Sequence, residues 1–213
     1  HSLTMANFRI VACIALVVLG ISGFSFADNV STETDLVSCM TSGPAEICTM
    51  PPDTVFYLSV VSDIDKNVTI EGSVGSVIDL MFNASFANVR GPCMLTLVNI
   101  EVRNGLGTLG TLVYLTSSSS LNMTNVIVRS MISGTAGAAV YQAGSASVTG
   151  RGYLKNVQFI NCTGSNTYTS AIRLFDPVDW VIEDTSFYSC SGSGTNSYSA
   201  LAVSTQWSTS SSV

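Results

Sequence analysis

Four stretches of the chain align without gaps: Leu97-Val-Asn-Ile-Glu-Val-Arg-Asn-Gly105, Met123-Thr-Asn-Val-Ile-Val-Arg-Ser-Met131, Leu154-Lys-Asn-Val-Gln-Phe-Ile-Asn-Cys162 and Ile182-Glu-Asp-Thr-Ser-Phe-Tyr-Ser-Cys190. Their starts lie 26, 31 and 28 residues apart. Each reads apolar, any residue, Asn or Asp, alternating apolar positions, then a polar turn ending in Gly, Met or Cys. A Gly/Ser-rich loop follows, and then a second apolar run: 111–115, 137–141, 170–174 and 199–203. A third run opens each following repeat, as at Val148 or Trp180-Val181. Alternation with period two, three times per repeat, is a strand pattern and not a helical one. No amphipathic helix of useful length is expected after Ala27. A unit this short cannot bury its own apolar face, so it has to stack on its neighbours.

Three strands in each repeat of this length give the period of a parallel β-helix, with coils about 4.8 Å apart. Unequal spacing is harmless there, because extra residues bulge out at the turns. Gly137-Ala138-Ala139-Val140 and Phe159-Ile160-Asn161 sharpen the comparison. They match the Gly-Ala-(Val/Ile) and Phe-x-Asn runs of polymorphic outer-membrane-type surface protein repeats. The chain over roughly residues 54 to 207 resembles the right-handed parallel β-helix proteins of the pectin-lyase-like superfamily. The expected fold is all-β, a right-handed parallel β-helix of about five to six coils, preceded by a signal-peptide helix. Asp65-Lys-Asn-Val-Thr-Ile-Glu-Gly72 reads as its first full strand. The resemblance implies that the aligned Asn99, Asn125, Asn156 and Asp184 stack as an asparagine ladder, satisfying polar groups at one corner. Cys162 and Cys190 align one rung apart, which suits a disulfide or a stack of reduced thiols.

The composition fits such a chain. Of 213 residues only 10% are charged, against about 25% in ordinary soluble domains. Polarity comes instead from 32 Ser and 21 Thr. The formal charge of −6 argues against nucleic acid, which is met by basic patches. His1–Thr4 read as translated upstream sequence before Met5. From there Arg9, the apolar run Ile10–Ile21 and Ser25-Phe26-Ala27 have the form of a secretory signal over residues 5–27, cleaved before Asp28. Residues 28–53 are assigned to an N-terminal cap and 54–213 to the β-helix. The chain stops just after a strand-like run, so its C-terminus reads as incomplete. Secretion predicts disulfides. Cys39 and Cys48 bracket a short Gly-Pro loop and are the natural first pair, while Cys93 has no evident partner. N-x-S/T sequons stand at Asn29, Asn67, Asn83, Asn122 and Asn161. The expected location is secreted or cell-surface.

Chemistry is thinly supported. Glycoside hydrolases need paired carboxylates, and lyases of this fold need a base with a Ca²⁺-binding Asp cluster. After residue 27 the chain holds no histidine, and the Asn-Thr-Asp, Asp-Asp, Gly-His-Gly and Arg-Ile-Lys signatures of polygalacturonase-like enzymes are absent. Arg173, Asp176, Asp179 and Glu183, beside Asp184, form the densest charged cluster and the best catalytic candidate. Its bland reading is a solvated turn. Asp63 and Asp65 would share one strand face; no cofactor is expected, with Ca²⁺ at this pair as the alternative. Arg103 and Arg129 repeat one position and would form a small basic stripe. Tyr114, Tyr141, Tyr168 and Tyr198 recur every 27, 27 and 30 residues. They are either a sugar-stacking row or boundary aromatics. Gly105-Leu-Gly107-Thr-Leu-Gly110 matches a nucleotide-loop pattern by letter, but no helix follows, so it reads as a turn. The favoured function is a non-catalytic extracellular scaffold or adhesin. The alternatives are the N-terminal part of a polysaccharide lyase or hydrolase, and a carbohydrate-binding β-helix. Expected partners are an extracellular polysaccharide or a surface protein, with self-association through an exposed terminal coil.

Overall fold

The computed structural model describes residues 27–44, 46–116, 118–143, 150–164, 171–175, 179–193 and 200–204. The expected signal-peptide helix lies outside them. Over the described residues the chain winds into an all-β parallel solenoid of about four turns. Every strand pairing is parallel, and the pairing partners are whole repeats apart. The first face stacks Ile47–Thr49, Val68–Glu71, Met94–Val98, the start of Ser120–Ala136, the start of Arg151–Ile160, and Trp180–Glu183. A second face carries Val55–Tyr57, Val77–Asp79, Glu101–Leu109, the later parts of the two long strands, and Ser186–Tyr188. The third is a six-stranded sheet running from Ser62–Ile64 to Leu201–Ser204, so end turns flank the four inner strands.

Alternation sends every second side chain inside, where it meets the equivalent residue of the next turn. Ile70, Leu97, Met123 and Leu154 form one such column, and all four are fully buried. Val102, Val128 and Phe159 form another, and the Phe159 ring stacks on Phe187 with centroids 5.2 Å apart. Each fully buried side chain of this size contributes about 1.5–3 kcal/mol, so the stack supplies what no single coil can.

The corners explain the polar positions of the repeat. Asn99, Asn125, Asn156 and Asp184 all take left-handed backbone, with φ of 56°, 55°, 52° and 49°. Asn and Asp tolerate that region better than other L residues, and it turns the chain sharply between the first and second faces. A second corner five residues on uses the same device at Asn104, Ser130, Asn161 and Ser189. In the sequence this position reads only as part of a polar turn.

The bottom of the solenoid corrects one expectation. A nine-residue helix, α1, spans Glu33–Thr41 where no helix was expected. A reciprocal cap starts it: the Asp35 N–H donates to Thr32 Oγ1 at 3.1 Å, and the Thr32 N–H donates to Asp35 Oδ2 at 2.9 Å. Leu36, Cys39 and Met40 are buried beneath the first turn. The expected Cys39–Cys48 disulfide forms, with Cα atoms 5.9 Å apart, and ties the helix to strand Ile47–Thr49. The nucleotide-like glycine run is also not a turn. Gly105 and Gly107 lie inside strand Glu101–Leu109, and only Gly110 turns, with φ of 49°. A Cβ on Gly105 would stand 2.4 Å from Thr111 Cγ2 and 2.6 Å from Met131 Sδ, so close packing explains that glycine.

Candidate functional site

Side chains outside the apolar core form three ladders, and each contains residues singled out in the sequence. At the first corner, Asn125 Nδ2 donates to Asn99 Oδ1 and Asn156 Nδ2 donates to Asn125 Oδ1, both at 2.9 Å. These side chains are exposed, so the ladder runs along the outside of the corner. Asp184 takes the matching corner, but no bond to Asn156 is present among the described residues. In the turn below Asn99 the position falls to Gly72, whose Cβ would stand 2.2 Å from Ile100 Cγ2, so the ladder stops there. Beside Asn99 and Asn125 runs an open groove whose wall is formed by Gly72–Val77 and Glu101.

On the second face Arg103 and Arg129 are register partners, as their shared repeat position implies. They do not make a basic stripe, because carboxylates interleave with them. Arg103 Nε donates to Asp79 Oδ2 at 2.8 Å, and Glu101 Oε1 lies 3.8 Å from Arg103 and 3.4 Å from Arg129. Asp79 is 6% exposed and also accepts from Asn104 Nδ2 and the Met81 N–H. Burial pushes its carboxyl up, but the Arg103 bond, the Met81 N–H and Asn104 outweigh that and hold it below its ordinary value. Sequence reasoning missed Asp79 and Glu101. Asp79 stands 24 residues before Arg103 whereas Gly72 stands 27 before Asn99, so an ungapped alignment puts Ser76 at the arginine position and misses Asp79.

The third face carries Asp63, Asn88, Tyr114, Tyr141 and Arg173 on successive rungs, and Arg173 is buried. The Tyr114 and Tyr141 rings stack with centroids 5.5 Å apart and planes 14° apart. Tyr141 meets Phe175 edge-on at 6.1 Å, and the Arg173 guanidinium lies 4.3 Å from the Phe175 ring centre. Tyr168 and Tyr198 lie outside the described residues. The rungs above Tyr141 belong instead to Arg173 and Ala202. At the foot of this face Asp63 pairs with Arg90 at 3.0 Å and accepts from Asn88, while Asp65 falls just past the strand.

The charged cluster near the last turn is spread over two faces. Arg173 lies on the third face, Asp179 pairs with Arg151 at 3.4 Å, and Glu183 accepts from the Tyr153 hydroxyl at 3.0 Å. Asp176 lies outside the described residues. Among the described residues no three His, Cys, Asp or Glu side chains gather as a metal cluster. The sequon asparagines Asn29, Asn67, Asn83 and Asn161 are exposed, and Asn122 is half-buried with its amide against Met94 Sδ at 3.1 Å. Cys93, Cys162 and Cys190 are free thiols. Burial and then the Asp65 charge push the Cys93 thiol up. No helix among the described residues is long and apolar enough to cross a membrane. No protein-family model, curated protein or solved structure matches the chain.

Proposed function

We propose that this chain is a secreted or cell-surface scaffold: a right-handed, pectin-lyase-like β-helix that acts as a glycosylated rod without catalysis of its own. The observation that carries this reading is the Cys39–Cys48 disulfide, which fastens the cap helix to the first turn. Structural disulfides persist in oxidising compartments. A solenoid needs its end covered, so this bond sits where loss of order would begin. Exposed sequon asparagines on the same solenoid are open to a glycosylation enzyme. Two of the catalytic candidates are engaged elsewhere: Asp179 pairs with Arg151, and Glu183 accepts from the Tyr153 hydroxyl. General acid–base chemistry on a sugar needs one carboxyl kept protonated and a second able to take a proton.

Expression from Met5 in a eukaryotic secretory cell tests the reading. The expected product appears in the medium, starts at Asp28, holds the Cys39–Cys48 bridge and loses mass on enzymatic removal of N-glycans. Retention inside the cell with both cysteines reduced would overturn it.

A second reading, binding of a polysaccharide, has one observation in its favour. Tyr114, Tyr141, Phe175 and Arg173 form a continuous aromatic and cationic row on the third face. The two tyrosines cover part of each other's ring faces, which leaves ring edges for a ligand. Loss of glycan-array binding in Tyr141→Ala with the fold intact would support this reading, and an array with no bound glycan would refute it.

A further inference from the structure

The residue just past the second corner of each turn points inward and forms one column: Gly105, Met131, Cys162 and Cys190. Gly105 and Met131 are register partners. Ile160 pairs with Tyr188 and Thr163 with Ser191, so Cys162 and Cys190 are bracketed by the same offset and stand one directly above the other. Parallel neighbours in register are about 4.8 Å apart, inside the Cα range of roughly 4.4–6.8 Å that a disulfide spans. Both thiols pack against the core, and Cys190 Sγ lies 3.5 Å from the Phe159 carbonyl of the turn below. Their exposures differ: Cys162 is fully buried, whereas Cys190, on the last described turn, is partly open.

We propose that Cys162 and Cys190 are a thiol–disulfide pair that closes on reaction with a small-molecule disulfide, Cys190 attacking and Cys162 resolving, and so staples the last turn to the one beneath. In the first step the Cys190 thiolate attacks one sulfur of the small disulfide. A Cys190 mixed disulfide forms and one small thiolate leaves, taking up the proton that Cys190 gave up. In the second step Cys162 Sγ attacks Cys190 Sγ. The protein disulfide forms, and the second small thiolate leaves with the Cys162 proton. Two protein thiols are oxidised and one small disulfide is reduced to two thiols.

The division of roles follows from position. Of the two, only Cys190 can be reached from solvent, and its thiol is lowered to about 7, chiefly by the neighbouring Cys162 thiol and against the opposing effect of burial. Thiolate character with access is what exchange requires. Cys162 is pushed up by the neighbouring Cys190 thiol and by burial, and its sulfur faces Val128 O, out of reach of a bulky disulfide. Cys93 sits at the start of strand Met94–Val98, on another face.

The test uses the full chain, unglycosylated and reduced, treated with oxidised glutathione, then alkylated and digested with trypsin without reduction. Arg173 lies between the two cysteines, so they fall in separate peptides, 156–173 and 174–213. The expected result is a linked pair of these peptides, with glutathione appearing transiently on 174–213 before the link forms. In Cys162→Ser the reaction should stop at the Cys190 mixed disulfide, and in Cys190→Ser the Cys162 thiol should stay free. Free thiols on both peptides of the wild type would overturn the proposal. So would a link from either peptide to Cys93, or glutathione appearing first on 156–173.

Discussion

Replacing Asp79 tests whether the interleaved charges on the second face hold neighbouring turns together. The carboxylate is 6% exposed and accepts from Arg103 Nε, Asn104 Nδ2 and the Met81 N–H. Asp79→Asn keeps the shape and an acceptor for Met81 but removes the charge facing Arg103. Breaking a fully buried pair costs about 3–5 kcal/mol. The Arg103 side chain is 33% exposed and keeps Glu101 at 3.8 Å, so solvent and the second carboxylate take up part of the loss. The expected cost of Asp79→Asn at pH 7 is therefore about 1–2 kcal/mol, and that of Asp79→Ala, which also strands the Met81 N–H, about 2–4 kcal/mol. Urea unfolding followed by circular dichroism measures both. The folded Asp79 carboxyl titrates below its unfolded value of about 3.9. Its stabilisation is complete above that unfolded value and is lost as pH falls through the folded one. The gap between wild type and Asp79→Asn should thus close on acidification below about pH 4. A gap under about 0.5 kcal/mol at pH 7, or one unchanged at acid pH, would refute the reasoning.

Other perturbations probe the corners, the stack and the cap. Asn125→Ala loses both ladder bonds and puts alanine at φ of 55°, which should cost about 2–3 kcal/mol, whereas Asn125→Gly should cost about 1 kcal/mol less because the backbone is relieved. Equal losses in urea melts would show that the left-handed corner is not what asparagine serves. A Cβ on Gly152 would stand 2.4–2.6 Å from the Trp180 ring, whose Nε1 donates to buried Gln142 at 2.8 Å. Gly152→Ala should destabilise by about 1–3 kcal/mol and shift Trp180 emission to the red in a Trp207→Phe background. Cys39→Ala with Cys48→Ala removes a short-loop crosslink and should cost about 2–3 kcal/mol, read as a lower urea midpoint that reducing agent no longer changes.

The sequence carried the repeat because a parallel stack demands the same residue type at the same corner in every turn. Asn99, Asn125 and Asn156 were legible for that reason, as was the coil-by-coil alternation of apolar residues. The ladder's lower neighbour was not, since Gly72 replaces the asparagine and hides the coil containing Asp79. The cap helix was missed because nine residues give too little periodicity; its Thr32–Asp35 box was the available signal. Tyr114 and Tyr141 were legible as a pair on successive rungs. Loop lengths vary between turns, so the next rung belongs to Arg173, which equal sequence spacing does not pick out. The cluster of Arg173, Asp179 and Glu183 was close in sequence, but a solenoid corner sends its members to different faces.

The most direct measurement of the stacked repeat is a set of side-chain nuclear Overhauser contacts at Met123 in the labelled protein. The parallel register predicts contacts from Met123 to Leu97 and to Leu154, one on each side. Contacts from Met123 to neither residue, or pairings running in the antiparallel order, would contradict a parallel solenoid.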